Sequence, residues 1–244
     1  MEKRRSILLE QGRRVVKKTG MRHVALIVDG NRRWARARRK PWIAGHRKAL
    51  EVILERVEDG LGMGIEVMTF WLFSTENWRR QAKQVDALFR LGMEYEQRLH
   101  EEMNRLNVRF RHLGRRDRLP GFLCRLLADL ESETLDNDAA TVVAALDYGG
   151  RDDVLRAVNR AVVERASVVT EEYFSSLVDA ADLPNPDLVI RTSGEIRTSG
   201  FMIWQAAYSE WSFPQKFFPD FNTEDFVSEV CQFGVRRRRF GGGK

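Results

Sequence analysis

The chain has 244 residues and a formal net charge of +6, from 41 Lys and Arg against 35 Asp and Glu. That length suits one α/β domain with a sizeable core, and no Pro/Gly/Ser-rich linker divides it. No run approaches the ~20 apolar residues of a membrane span, the start lacks the apolar core of a signal peptide, and Cys124 and Cys231 form neither a disulfide framework nor a zinc motif, so a cytoplasmic protein is expected.

Residues 1–20 read as a basic, weakly amphipathic lead-in, a surface helix or frayed segment, ahead of a domain over 21–244. Positive charge gathers in three stretches: 1–22 carry eight basic and two acidic residues, 31–48 eight basic and none acidic, and 235–244 five basic. The remainder is net acidic, and this pattern implies an anionic partner: a polyphosphate, a nucleic acid or an anionic membrane surface. The run Val24–Val28 is too short for a helix and too continuous for a half-exposed strand, so it reads as a strand buried on both faces. It stops on Asp29-Gly30-Asn31, and Arg32 and Arg33 follow with groups suited to phosphate oxygens. A lone carboxylate repels a phosphate unless a divalent cation lies between them, and Mg²⁺ commonly takes one or two carboxylates together with substrate phosphates. The plain alternative is that Asp29 caps a helix and the arginines are solvated.

Trp34–Lys40 reads as a basic connection closed by Pro41, and a helix starts at Gly45-His46 and ends among Gly60, Gly62 and Gly64. Ile65–Phe73 reads as a second buried strand ending on Ser74-Thr75-Glu76-Asn77, with Trp78-Arg79-Arg80 behind. One long helix is predicted from Val85 to about Leu106, a short strand over 108–113, and a helix from Pro120 to Leu135. Thr141–Leu146 reads as a strand ending on Asp147-Tyr148-Gly149-Gly150; helices follow over 152–167 and from a Thr170 cap. Asp187–Ile190 is a further strand ending on Arg191. The alternation predicts an open, mostly parallel α/β sheet flanked by helices.

Ligands of such sheets bind beyond the strand carboxyl ends, so the ends at Asp29, Ser74–Asn77, Tyr148–Gly150 and Arg191–Glu195 are expected to converge. Arg191 and Arg197, with Ser199 beyond, make a fork-rich cradle for a diphosphate; structural arginines on a surface turn are the alternative. GxxxxGK[ST], GxGxxG and GxSxG are absent. Phe70–Phe73 and the aromatic helix near residue 90 read chiefly as core, although an apolar wall beside a phosphate cradle suits a ligand with a diphosphate head and a hydrocarbon tail.

His23-Val24-Ala25 through Asp29-Gly30-Asn31-Arg32-Arg33-Trp34, Gly45-His46, Phe73-Ser74-Thr75-Glu76-Asn77-Trp78 with Arg80, Asp187–Glu195 with Arg197 and Ser199, Trp204-Gln205, Tyr208-Ser209-Glu210 and Arg238-Arg239-Phe240-Gly241-Gly242 together resemble the cis-prenyltransferase family, of which undecaprenyl diphosphate synthase is the best-known member. The matches run from residue 22 to 242 in family order. The resemblance implies the family's single-domain α/β fold with a hydrophobic tunnel, in which isopentenyl diphosphate is condensed onto an allylic diphosphate, such as farnesyl or geranyl diphosphate, to give a Z-polyprenyl diphosphate. It implies Mg²⁺ on Asp29 and Glu210, with Glu210 often reaching across a homodimer. It places the allylic substrate on Gly30, Asn31, Arg32, Arg33, Trp34 and His46, framed by Ser74, Thr75, Glu76, Trp78 and Arg80. Asn77 matches a residue proposed to assist proton removal, although an amide is a poor base and a substrate phosphate or water is the alternative acceptor. Isopentenyl diphosphate falls to Arg191, Arg197, Thr198 and Ser199, and Arg239, Phe240 and Gly241 match an element that closes over a site, commonly the partner's.

Four positions depart from the family pattern. Trp42 stands where many members have an arginine, with Arg38, Arg39 or Lys40 nearby to compensate. Asp147 replaces the usual asparagine, Gly200 replaces a common asparagine, and Leu72, beside Phe73, occupies a tunnel position that is often small in long-chain members. Bulk there predicts a short or medium product over a C55 one. The basic stretches lack a nucleic-acid-binding motif, so no nucleic acid is expected; peripheral membrane contact through the product is.

Overall fold

The computed structural model describes residues 2–236; Arg239, Phe240 and Gly241 lie outside them. Six strands, β1 (His23–Ile27), β2 (Val67–Ser74), β3 (Val108–Leu113), β4 (Ala140–Tyr148), β5 (Leu188–Arg191) and β6 (Glu210–Ser212), form an all-parallel sheet in the order β3-β4-β2-β1-β5-β6. The alternating α/β architecture is as expected. The chain divides into two compact units, one of Met1–Met68, Pro186–Ile196 and Tyr208–Lys244, the other of Thr69–Asn185 and Arg197–Ala207.

In the first unit β1 pairs with β5, Ile27 opposite Arg191, and β5 with β6, Leu188 opposite Glu210. Every residue of β1 is buried, as its unbroken apolar run requires. The segment read as a basic connection is instead a helix, α2 (Asn31–Ala37), because Gly30 takes the left-handed conformation (φ 99°) and turns the chain directly into it. The following helix, α3 (Trp42–Met63), starts three residues before Gly45, since Pro41 fits just ahead of a first turn. The basic segment at the start is α1 (Glu2–Thr19), which buries Gly12 and Val16 and packs on α3 and on α9 (Thr223–Val235). Neither α9 nor β6 is among the expected elements: α9 does carry a local signal, an Asn222–Asp225 capping box followed by Phe226, Val227, Val230 and Phe233 at helical spacing, whereas β6, three residues long, is too short to alternate and is defined only by its pairing with β5.

A buried charge cluster ties this unit together. Asp59, with no exposed surface, lies 2.8 Å from Arg56 and 2.9 Å from Arg5, and Arg56 also donates to Thr223 Oγ1 at 3.1 Å.

In the second unit β3 pairs with β4 over its whole length. The long helix expected over 85–106 is two, α4 (Ala82–Glu94) and α5 (Glu96–Arg105), broken at Tyr95 just after Gly92 weakens the final turn of α4. Helix α6 (Gly121–Glu133) begins behind Pro120, and α7 (Gly150–Val163) is followed by α8 (Glu171–Leu177), whose Thr170 cap accepts from Tyr173 N at 3.2 Å. The core of this unit gathers Phe73, Val85, Phe89, Leu123, Leu126 and Leu130.

Breaking a buried ion pair from one side leaves an uncompensated charge. Asp59→Ala is expected to lower unfolding free energy by about 3–5 kcal/mol, against less than about 0.5 for the more exposed Glu58→Ala, read from urea midpoints.

Candidate functional site

Asp29 leaves the carboxyl end of β1 half-buried, and its main chain is pinned on both sides. Thr192 Oγ1 accepts from Asp29 N at 3.2 Å and donates to Asp29 O at 2.8 Å. The carboxylate is held by Gly30 N–H at 2.6 Å on Oδ1, by Arg191 Nη2 at 2.9 Å on Oδ2, and by Arg33 Nη2 at 3.3 Å on Oδ1. Partial burial pushes the carboxyl pKa up, but the Arg191 guanidinium, the Gly30 N–H and the Arg33 charge outweigh it and hold the group below the usual carboxylate range. Asp29 is therefore ionised at neutral pH.

Arg33 joins a larger junction. It donates to Glu195 Oε1 at 2.6 Å and to Ser193 Oγ at 2.6 Å, with its guanidinium 5.7 Å from the centre of the Phe217 ring. Ser193, Glu195 and Phe217 are not singled out by the sequence as site residues, although Thr192-Ser193-Gly194-Glu195 at a strand end carries the signal for the first two. The junction holds two carboxylates and two guanidinium groups. The junction is neutral as it stands, so a diphosphate alone would load it with the ligand's whole negative charge, whereas a divalent cation arriving with the diphosphate would offset two of those charges.

Asn31 is buried; its Nδ2 donates to Val28 O at 3.3 Å and lies 3.5 Å from His46 Nδ1, while its Oδ1 has no protein hydrogen-bond partner among the described residues. A buried oxygen of this kind calls for a donor or a cation. Gly45, ahead of His46, permits the approach of α3 to Asn31: a Cβ there would fall 1.9 Å from the Asn31 carbonyl oxygen. Trp42, the replacement for the family arginine, sets its ring against His46 at 5.5 Å, edge to face. Arg38 and Lys40 stack on Trp34 at 4.5 and 5.5 Å, and Arg38 also pairs with Asp220. Trp34 itself is buried and donates to Asp220 Oδ1 at 2.8 Å, while Arg32 is exposed.

Glu210 is not brought to Asp29 within this chain. It pairs with Leu188, which faces Val24, so it sits near the start of the strands and two strands across, while Asp29 follows the far end of β1, about 10 Å further along the strand direction from Val24 to Ile27 alone. There Glu210 pairs with Arg236 at 2.9 Å. Among the described residues no group of three or more His, Cys, Asp or Glu side chains is placed to hold a metal. A single ionised carboxylate still fits Mg²⁺, which keeps water and phosphate oxygens as its other ligands.

In the second unit the end of β2 runs into a short 3-10 turn, Thr75–Arg79. Asn77 closes a reciprocal cap: its Oδ1 accepts from Ser74 N at 3.2 Å and the Ser74 side chain accepts from the Asn77 backbone. The amide oxygen is thus engaged and Nδ2 is the group left to act as a donor. Glu76 is exposed, Arg80 half-buried, and Thr75 meets the end of β4, where a Cβ on Gly149 would fall 2.4 Å from Thr75 Oγ1. Leu72 is half-buried and Phe73 buried in the apolar cluster that Trp78 also borders. Arg197, Thr198 and Ser199 lie on an exposed turn with Ser199 at φ 52°; Phe201, just beyond, stacks on Trp71 at 4.8 Å.

The Gly45 contact is testable directly. Gly45→Ala is expected to cost about 1–3 kcal/mol of stability and to weaken inorganic pyrophosphate binding about tenfold, read by calorimetry.

A family profile described as "Putative undecaprenyl diphosphate synthase" matches residues 27–241. The isoprenyl transferase of Aquifex pyrophilus is 46% identical over 219 residues, 90% of this chain and 95% of its own length, and that of Rhizobium meliloti is 43% identical over 226 residues, 90% and 92%. Among solved structures, lavandulyl diphosphate synthase from Lavandula x intermedia in complex with dimethylallyl diphosphate aligns with a TM-score of 0.83 at 31% identity, covering 90% of this chain and 97% of that one. A "probable undecaprenyl diphosphate synthase" from Campylobacter jejuni aligns at 0.77 and 28%, covering 91% and 98%. An ionised carboxylate locked between arginines at a strand end, on a fold and sequence shared with these proteins over nine-tenths of its length, makes this chain a member of the undecaprenyl diphosphate synthase family of prenyltransferases.

Proposed function

We propose that the protein condenses isopentenyl diphosphate onto an allylic diphosphate such as farnesyl or geranyl diphosphate, with Mg²⁺, to give a Z-polyprenyl diphosphate of short or medium length. The observation that carries this reading is the Asp29 junction, whose charge balance accepts a diphosphate together with a divalent cation. The complex of the lavender relative with dimethylallyl diphosphate supports an allylic diphosphate as one substrate.

Asp29, Gly30, Asn31, Arg33 and His46 receive the allylic diphosphate on this reading, with Arg32 and Trp34 completing the segment and Ser74, Thr75, Glu76, Trp78 and Arg80 framing it. Arg191, Arg197, Thr198 and Ser199 take isopentenyl diphosphate. Mg²⁺ held by Asp29 would draw charge off the departing diphosphate. Arg33 and Arg191 exchange carboxylate oxygens for phosphate oxygens of similar geometry, so they meet charge as it develops on the leaving group. The isopentenyl double bond attacks the allylic carbon, and a proton leaves to form the new cis double bond. With its oxygen committed to Ser74 N–H, Asn77 is better suited to hold the turn and donate through Nδ2 than to take that proton, which passes to a phosphate oxygen or water.

The half-buried Leu72, set against Phe73, Phe89 and the α6 leucines, supports a short wall for the hydrocarbon tail. A homodimer is supported by α7, which exposes Leu155, Val158 and Val162 along one face while its Ala157 and Ala161 are buried. Since Glu210 stands at the opposite strand end from Asp29, it serves as a second metal ligand only from the other copy; the resemblance assigns Arg239 and Gly241 to an element that closes over a site, commonly the partner's. No helix among the described residues is long and apolar enough to cross a membrane; peripheral membrane contact is proposed here only through the lipid product.

Farnesyl diphosphate, labelled isopentenyl diphosphate and Mg²⁺ should give chain-extended product with wild type, and Asp29→Ala should lower kcat by about 10²–10³-fold. Full activity in Asp29→Ala refutes the mechanism, and Leu72→Ala with unchanged product lengths refutes the wall. In light scattering, Leu155→Lys/Val162→Lys should be monomeric where wild type is dimeric; a dimer that survives moves the interface elsewhere.

A further inference from the structure

Trp78 is held by groups outside its own turn. Its indole Nε1 donates to Asp147 Oδ1 at 2.8 Å, and Asp147, near the end of β4 at φ 52°, has no exposed surface. A fully buried carboxylate is costly unless its charge is met. Arg118, in the loop before α6, meets it with a two-pronged fork, Nε at 2.9 Å from Oδ2 and Nη2 on Oδ1. The same guanidinium lies 5.8 Å from the centre of the Trp78 ring. The ring also meets Phe73 at 5.4 Å and Phe89 at 5.5 Å, both edge to face. The N–H and the ring of the indole are thus both engaged, where it borders the apolar cluster against which Leu72 also packs.

An asparagine at this position would accept the indole N–H through Oδ1 equally well and would need no arginine. With Asp147 the partner becomes obligatory. Asp147 O also accepts from Arg115 N at 3.1 Å, so the loop carrying Arg118 is tied to the same residue through main chain and side chain.

We propose that Asp147 and Arg118 are positioning residues that fix the Trp78 ring, and through it the room left for the prenyl chain beside Leu72 and Phe73, so that this pair helps set which chain lengths the enzyme accepts and makes. The proposal rests on the function given above. It predicts an asymmetry between the two partners. Asp147→Asn keeps the acceptor for Trp78 and should leave product lengths and the KM for farnesyl diphosphate within about twofold of wild type. Arg118→Met strands a buried carboxylate; it should raise that KM about tenfold with kcat changed less than about threefold, and should shift the product distribution. Arg118→Met/Asp147→Asn, with no charge left to satisfy, should restore both. Trp78→Phe, which lacks the donor, should reproduce the shift.

A second measurement needs no turnover. The Trp78 indole N–H, assigned by its loss in Trp78→Phe, should be protected from hydrogen exchange in wild type and Asp147→Asn and exposed in Arg118→Met. Wild-type KM and product lengths in Arg118→Met, or a double variant no better than Arg118→Met, overturn the proposal. A wild type that transfers no isopentenyl unit overturns the functional reading and the specificity that rests on it, while the exchange result decides separately whether Asp147 holds Trp78.

Discussion

An ionised carboxylate between two guanidinium groups is the constraint on which the rest of the site depends. Asp29 is shared by Arg191 and Arg33, and Arg33 in turn by Glu195 and Ser193, so two adjacent strand ends of one unit are joined through charge. The arrangement leaves no net charge to spare. It keeps Asp29 ionised, keeps Arg33 extended toward the strand ends, and leaves the buried Asn31 oxygen beside them without a protein donor among the described residues. Polar groups arranged in this way before a ligand arrives need little reorganisation when charge develops during reaction.

The surroundings serve to hold that junction still. Thr192 grips the Asp29 main chain from both sides, and Gly45 lets α3 press against the Asn31 carbonyl. In the same unit, Arg56 and Asp59 form a buried ion pair that joins α3 to the chain around Thr223. The second unit follows the same logic with different means: the Ser74–Asn77 cap shapes the turn, and the Asp147–Arg118 pair immobilises Trp78 against an apolar cluster. A capped turn and a neutralised buried charge both convert a loop into a rigid element.

The family departures look different once their neighbours are known. Trp42, where the resemblance leads one to expect an arginine, packs on His46, and Arg38, one of the candidate substitutes, is occupied by Asp220 and Trp34. Asp147 is accompanied by Arg118, which no local motif announces because it lies 29 residues away in sequence. Gly200, at φ 78°, takes a left-handed conformation that asparagine also tolerates, so this exchange is conservative for the backbone.

What the chain reveals by itself is whatever period, run length or motif encodes locally. The buried strand before Asp29, the strand–helix alternation, the Thr170 cap and the polar strand ends all come from neighbours in sequence, and the motifs resembling a known family carry the reaction class. The helix over 31–37 escapes such a reading because an element that short shows no period, and its start depends on a left-handed glycine. The helix over 85–106 reads as unbroken because its apolar spacing continues past Tyr95. Strand β6 exists only as a partner of β5. Pairing across long sequence separations, which placed Ser193 and Glu195 on Arg33, gave Asp147 its counter-ion and set Glu210 at the far end of the strands from Asp29, was decided by the tertiary structure alone, because the energy of such contacts depends on distance in space and leaves no trace in local pattern.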